Sequence, residues 1–425
     1  MGAFLSAFTV FLVGGVPIVV VLGLSALCYV FFNDQAQLIA AFPQRMVAGV
    51  DQFVLLTVPL FILAGNLMNA GSITEKIIRF CLVLVGRFRG GLAMVNVLAS
   101  MLFAGVSGSA TADSAALGSV LIPGMKKAGY DPEYAAALTA VSSVIGPIIP
   151  PSIQMIVFAV LSGTSVAGLF LAGIIPGVLI GLGLMAHAVW VSHKRNYPRE
   201  EASSGKEIVE ATRAAWPALV LPLIILGGIL SGIFTPTEAA AVASLYALFI
   251  SWAIYRTLTW KSLIKVLYET SVISSVILLV VAMASIISFV FSIEQVPQQV
   301  VSAMLEISDN KYAILAMITV GLLILGALIE PIGALILVVP VLIEIGGVIE
   351  LDPLHLGVIV VLNLVIGLAT PPMGLCLFIV CSIAKLPIES VARASMPLLG
   401  ICFMVLLLIT LVPDLVLFLP NLFNY

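Results

Sequence analysis

Long apolar runs recur from one end of this chain to the other, residues 4–32 and 272–291 among them, and each reads as continuous helix. A bilayer span takes about 20 apolar residues. In lipid every backbone N–H and C=O must find a partner within the fold, which leaves only helices or closed barrels. Strands of a membrane barrel would alternate apolar and polar side chains, and these runs do not. Of the 425 residues, 62% are hydrophobic and 9% charged, against about 45–50% and about 25% in soluble domains. That is more apolar surface than one soluble core can bury, and too much for a disordered chain. With 18 basic and 21 acidic side chains the formal charge is −3, so no nucleic acid is expected as a partner. The reading is an all-α polytopic membrane protein whose solvent is the lipid bilayer, with room for roughly ten crossings. The N-terminus has no basic region or cleavage site, so no removable signal peptide is expected.

Other chemistry finds little support. Cys28, Cys81, Cys376, Cys381 and Cys402 sit in apolar stretches without a CxxC pair, the pattern of packing thiols rather than of a disulfide or metal site. His187, His193 and His355 do not cluster, and no P-loop is present. The chain is not expected to be an enzyme, because no nucleophile–base or metal-ligand constellation appears.

What organises the sequence is an internal duplication. A charged connection at residues 194–213 divides the chain near its middle. Asp131-Pro132 and Asp352-Pro353 lie 352 − 131 = 221 residues apart, and the same offset carries Ile145-Gly146 onto Ile366-Gly367, Pro150-Pro151 onto Pro371-Pro372, and Pro176 onto Pro397. Upstream, an offset of 330 − 113 = 217 carries Asp113 onto Glu330 and Pro123 onto Pro340, which predicts four extra residues in the second copy. Lys126 and Lys127 precede the first Asp-Pro, whereas Glu344 and Glu350 precede the second. The positive-inside rule therefore puts the first loop in the cytoplasm, and the count of crossings between the copies gives them opposite topology.

Each copy interrupts its own hydrophobicity: FAGVSGSATADSAAL and GPIIPPS in the first, GALIEPIG and GLATPPM in the second. Such backbone survives at membrane depth only inside protein or against a wet cavity. Inverted repeats with paired broken helices are the pattern of secondary transporters. Residues 91–127 and 312–345 read as re-entrant helical hairpins, with tips around 107–113 and 326–333, each followed by a helix broken at its Pro-Pro. Prolines lack an N–H, so the carbonyls of Gly146, Pro147, Gly367 and Leu368, with Ile149 and Thr370 at the break, are expected to be free. Oxygen-only ligands suit a hard cation such as Na⁺. One site is expected from Ser107, Ser109, Gly146, Ile149 and Ser152, and its mirror from Gly326, Gly367, Thr370 and Met373. Asp113 and Glu330 are matched tip acids, costly within a membrane; they serve the site or simply cap helix N-termini. The substrate region lies between the tips, near Ser114, Pro151, Ser152, Gln154, Thr370 and Pro371. No Lys or Arg lies there, so an anion would rest on helix N-termini and co-bound cations. Gly173, Gly177 and Gly181 read as a close-packing ladder, and residues 76–89 as a basic amphipathic helix on the cytoplasmic interface.

The stretches VPLFILAG (58–65), AGVSGSATAD (104–113) and GPIIPPS (146–152) resemble the large membrane subunit of a TRAP (tripartite ATP-independent periplasmic) transporter, and the resemblance extends over essentially the whole chain. It implies an elevator, with a transport domain (91–165 and 311–386) moving against a scaffold (1–90, 166–310 and 387–425). It also implies residence in a bacterial inner membrane, Na⁺ coupling, an organic acid substrate, a separate small four-helix membrane subunit, and a periplasmic substrate-binding protein. A symporter for dicarboxylates that works without a binding protein, and a channel or structural subunit, are the competing readings.

Overall fold

The structure is a computed structural model that describes residues 2–199, 203–372 and 374–425. The described residues are helical, with no strand among them. Helices α1 (Gly2–Val13) and α2 (Ile18–Phe32) replace the single helix expected for residues 4–32. Gly15 adopts φ +74° and Pro17 caps α2 without offering an N–H, so the chain folds back and the two helices pack together. Then come α3 (Phe42–Val50), α4 (Thr57–Ala70) and α5 (Ile73–Val85). α5 buries Ile73, Ile77, Ile78 and Cys81 at helical spacing, while Lys76 lies 4.0 Å from the centroid of the Tyr255 ring and Arg79 stands 3.9 Å from Glu210.

The first hairpin is α6 (Gly91–Ser107) and α7 (Ala110–Lys127), followed by α8 (Pro132–Ser142) and, across the Pro-Pro, α9 (Ile153–Ser162). Helices α10 (Val166–Lys194), α11 (Gly205–Leu230), α12 (Pro236–Phe249), α13 (Trp260–Ile293) and α14 (Val296–Ile307) lie between the copies. The charged connection is therefore shorter than expected, because its two ends continue α10 and begin α11 at a Ser204–Glu207 capping box. The second copy comprises α15 (Lys311–Leu328), α16 (Pro331–Val348), α17 (Pro353–Gly367) and α18 (Leu375–Ala384), and α19 (Ile388–Leu411) and α20 (Asp414–Leu422) close the chain. Eight of the described helical stretches are long and apolar enough to cross a membrane. α9 and α18 are not: at 10 residues each they rise about 15 Å, half of an apolar layer about 30 Å thick.

The helix boundaries correct the upstream register. α7 starts at 110 and α16 at 331, α8 at 132 and α17 at 353, so one offset (331 − 110 = 221) serves both hairpins and breaks. The second copy has no four-residue insertion before its Asp-Pro. Pro123 and Pro340 lie at different depths of equally long arms. The counterpart of Glu330 is Ser109, since both are N-caps, and the counterpart of Gly326 is Gly105.

Packing forms two groupings. α13 runs along α2, α3 and α4, while α4 packs on α12, and α11 on α5 and α12. Hydroxyls spaced by seven on α12 and its π-helical extension (Ile250–Ile254) bond α4 and the 3-10 turn (Phe53–Leu56) that leads into it: Thr237 donates to the Phe53 carbonyl at 3.5 Å, Ser244 to Leu60 at 2.6 Å and Ser251 to Leu67 at 3.0 Å. Hydroxyl-to-backbone bonds of this kind hold helices together where lipid offers no hydrophobic drive. In the other grouping, α8 and α17 are buried along nearly their whole length, with α19 packed against both and α10 against α17. The hairpins cross over: α7 lies on α18, and α16 on α9. At the basic end, Asp131 accepts from Arg195 at 2.5 Å and from the Tyr197 hydroxyl at 2.6 Å, tying the α7–α8 turn to the end of α10. Burial raises the Tyr197 phenol above its ordinary range, and the bond to Asp131 raises it further.

Candidate functional site

The tip of the first hairpin turns at Gly108, whose φ of +60° suits a residue without a side chain. A Cβ there would also run into the Pro151 carbonyl, so tip and break touch. Ser109 caps α7, accepting from the Ala112 N–H at 3.4 Å. Asp113 lies one turn inside α7, fully buried, and takes the Ser107 hydroxyl on one carboxylate oxygen. Its other oxygen, Oδ2, is buried and has no hydrogen-bond partner among the described residues. A Cβ on Gly146 would overlap that oxygen, so the first break meets the hairpin acid at a residue that must stay small. Asp113 is thus more than a first-turn acid.

The break itself is only partly open. Ser152, buried, caps α9 by accepting from the Met155 N–H at 3.1 Å and donates to the Pro147 carbonyl at 2.5 Å. The expected free carbonyl of Pro147 is therefore taken. Those of Gly146 and Ile149 accept no backbone hydrogen bond among the described residues. The glycine ladder of α10 packs directly on this break: Cβ atoms on Gly173 and Gly177 would strike Met155 and Ile149.

In the second copy the contact is backbone to backbone. A Cβ on Gly326 would come within 2.8 Å of the Leu364 carbonyl, and one on Gly367 would overlap the Gly326 peptide. α15 and α17 can approach this closely only through two glycines. Beyond Gly367, Thr370 donates its hydroxyl to the Ile366 carbonyl at 2.8 Å, which fixes the side chain and leaves its oxygen able to accept. The Gly367 carbonyl accepts the Thr370 N–H at 3.0 Å and the Leu368 carbonyl the Cys376 N–H at 3.0 Å. The expected free carbonyls of Gly367 and Leu368 are thus bonded once each, the first by a turn just before the Pro-Pro and the second by the chain after it, which folds back on the break. Met373 lies outside the described residues. Both Pro150-Pro151 and Pro371-Pro372 are cis.

Glu330 is exposed and caps α16, accepting from Ile332 N–H at 3.1 Å and Gly333 N–H at 3.3 Å. The two acids expected as a matched pair do different work, since α7 uses Ser109 for its cap and frees Asp113 to point at the break. Of the substrate-region residues, Ser114 and Gln154 are buried and each keeps an oxygen without a hydrogen-bond partner among the described residues. Pro151 is buried and Pro371 half-buried. Four helix N-termini, those of α7, α9, α16 and α18, stand at the two tips and two breaks, and such ends favour anions. Missed from the sequence were Gly105, whose signal is the single 221 offset, and Gly374, which caps α18 and where a Cβ would come within 2.7 Å of the Leu368 carbonyl and 3.0 Å of the Thr370 carbonyl.

The resemblance read from the motifs holds under comparison with known proteins. Residues 5–415 match the family described as "Tripartite ATP-independent periplasmic transporter, DctM component". The sialic acid TRAP transporter large permease protein SiaM of Vibrio cholerae is 42% identical over 412 residues, covering 97% of this chain and 96% of that protein. The C4-dicarboxylate TRAP transporter large permease protein DctM of the same organism is 38% identical over 428 residues, 96% of this chain and 94% of the relative. Among solved structures, the Neisseria gonorrhoeae MtrF efflux pump aligns over 92% of this chain and 85% of its own, with a TM-score of 0.63 at 13% identity. The Alcanivorax borkumensis YdaH transporter aligns over 89% of each chain with a TM-score of 0.61 at 15% identity. At such identities these two bear on the fold alone. The chain is a multi-pass inner-membrane protein and belongs to the DctM-component family of tripartite ATP-independent periplasmic transporters.

Proposed function

We propose that this protein imports an organic acid by Na⁺-coupled elevator movement, taking the solute from a periplasmic binding protein and working with a small four-helix membrane subunit. The observation that carries the reading is the pairing of each hairpin with a break. The first offers a buried Asp113 oxygen without a hydrogen-bond partner among the described residues, beside the carbonyls of Gly146 and Ile149 that none of those residues bonds. The second offers the Gly326–Gly367 contact and the oriented hydroxyl of Thr370. Hard oxygen donors and one carboxylate fit Na⁺. Ser107, Ser109 and Ser152 would support the first cation by holding Asp113, the tip and the break in place, and Met373 would complete the second. A bound cation beside the N-termini of α9 and α18 supplies the positive field that an anion needs where no Lys or Arg is present. Sialic acid and C4-dicarboxylates, the solutes in the relatives' names, define the carboxylate class proposed here.

The moving body is read from packing. α19 packs on α8 and α17, and α10 on α17 and α6, rather than on α13, so we assign both to the body that travels with the hairpins, together with 91–165 and 311–386. The helices around α4, α12 and α13 stay with the bilayer. The test is the thermal midpoint of the purified complex with its small subunit, in NaCl and in KCl at equal ionic strength. Na⁺ at a hundredfold excess over its dissociation constant should stabilise by about 2.7 kcal/mol, and Thr370→Ala should reduce the gain. Equal midpoints in both salts would remove the cation sites.

A further inference from the structure

A cavity of about 390 Å³ lies away from the Pro-Pro breaks, between α3 and α13 on one side and α9 and α16 on the other. That volume falls in the range of small-molecule sites. Arg45 of α3 lines it, together with Gln52, and Ser285, Ser288 and Ser292 of α13 supply hydroxyls at i, i+3 and i+7. The Arg45 guanidinium stands 4.5 Å from the centroid of the Phe289 ring. Stacking fixes one face of the guanidinium and leaves its edge N–H groups to meet a planar anion. No carboxylate lies within ion-pair distance of Arg45 among the described residues. By the path of the chain from the basic loops, Arg45 falls at the membrane side opposite to them, with Lys311 the other cation there among the described residues, and Lys311 is bonded to the Glu350 carbonyl at 3.2 Å. The opposite wall is Leu161 at the end of α9 and Pro340 along α16, so the cavity borders both helices that start at a break or a tip.

We propose that this cavity is an outer receiving subsite for the acid group of the solute. Arg45 takes the carboxylate through its paired N–H donors, and the α13 serines with Gln52 bind hydroxyl or amide groups on the rest of the molecule. The subsite rests on the import of an organic acid proposed above, and it adds what that reading lacks, a fixed cation on the static side of the path.

Two measurements test it. In the complete transporter reconstituted with its small subunit and binding protein, Arg45→Gln should raise the half-saturating concentration of sialic acid or succinate, whichever the wild type accumulates, by about tenfold or more. Arg45→Lys should recover part of the loss, and the Na⁺-dependent thermal shift should be unchanged in both variants. Unchanged half-saturation in Arg45→Gln overturns the proposal, and so does a parallel loss of the Na⁺ shift, which would make Arg45 structural. Independently of transport, modification of Arg45 by phenylglyoxal, followed by mass spectrometry, should be slowed by sialic acid or succinate but not by chloride at equal ionic strength. Absence of protection by both acids also overturns the subsite. Protection in a protein that accumulates neither acid keeps the subsite and overturns the import reading instead.

Discussion

Gly367 shows how much one missing methyl group decides. A Cβ there would meet backbone atoms of Gly326, which cannot swing aside as a side chain could. Gly367→Ala should cost about 1–3 kcal/mol, the usual range for overpacking, and should abolish the Na⁺-dependent rise in thermal midpoint. Gly347→Ala, where a Cβ meets nothing within 4 Å, is the matched control in helix α16. It should leave the midpoint unchanged or raise it, since Ala exceeds Gly in helix propensity by up to about 1 kcal/mol. Identical melts for the two variants would refute the backbone contact. Motif reading found Gly326 and Gly367 as a pair, but their mutual contact was invisible, because it depends on how closely α15 approaches α17. The same holds for Asp113: its position among small residues marked it, while the bond to Ser107 and the open side toward Gly146 come from the fold.

At the level of elements, the seven-residue ladder between α12 and α4 joins two helices of the proposed static body without touching either break. Replacing Thr237 by Val and Ser244 and Ser251 by Ala should lower stability by about 2 kcal/mol in total, given roughly 0.6 kcal/mol per membrane hydrogen bond on average. Thermal melts should drop in NaCl and KCl alike, with the difference between the salts preserved. A variant that loses the salt difference would tie this ladder to the proposed cation sites. Element boundaries also explain a misreading. Apolar content cannot distinguish one long helix at residues 4–32 from two packed ones, and the deciding features, Gly15 at positive φ and Pro17 as cap, are local. The upstream register went astray for a related reason, because a proline match outweighed the caps. Ser109 and Glu330 occupy the same N-cap position with different side chains, which a search for like residues passes over.

Across the whole molecule, the proposed sliding surface has a small-residue seam. A Cβ on Gly65 of α4 would lie 3.3 Å from the Val106 carbonyl, and one on Gly105 of α6 would lie 2.6 Å from Pro222 of α11. Both contacts join the hairpin to helices of the proposed static body. Gly65→Leu should block solute uptake in proteoliposomes while leaving the Na⁺-dependent thermal shift in place, because the proposed cation sites would lie within the body proposed to move. Full uptake by this variant would place the sliding surface elsewhere.

Apolar run length, the repeat of Asp-Pro and Pro-Pro at one offset, and the tip motifs determined from the sequence alone that this is a helical membrane protein, that it is built from two copies, and where its hairpins turn. These are local properties, since lipid forces each span to satisfy its own backbone and proline forces each break. The tertiary structure alone decided which carbonyls at the breaks remain open, that Asp113 rather than Glu330 faces a break, and that α7 meets α18 while α16 meets α9. Hydrogen-bond partners across a break, and the approach of one helix to another, depend on residues far apart in the chain, and no spacing along it encodes them.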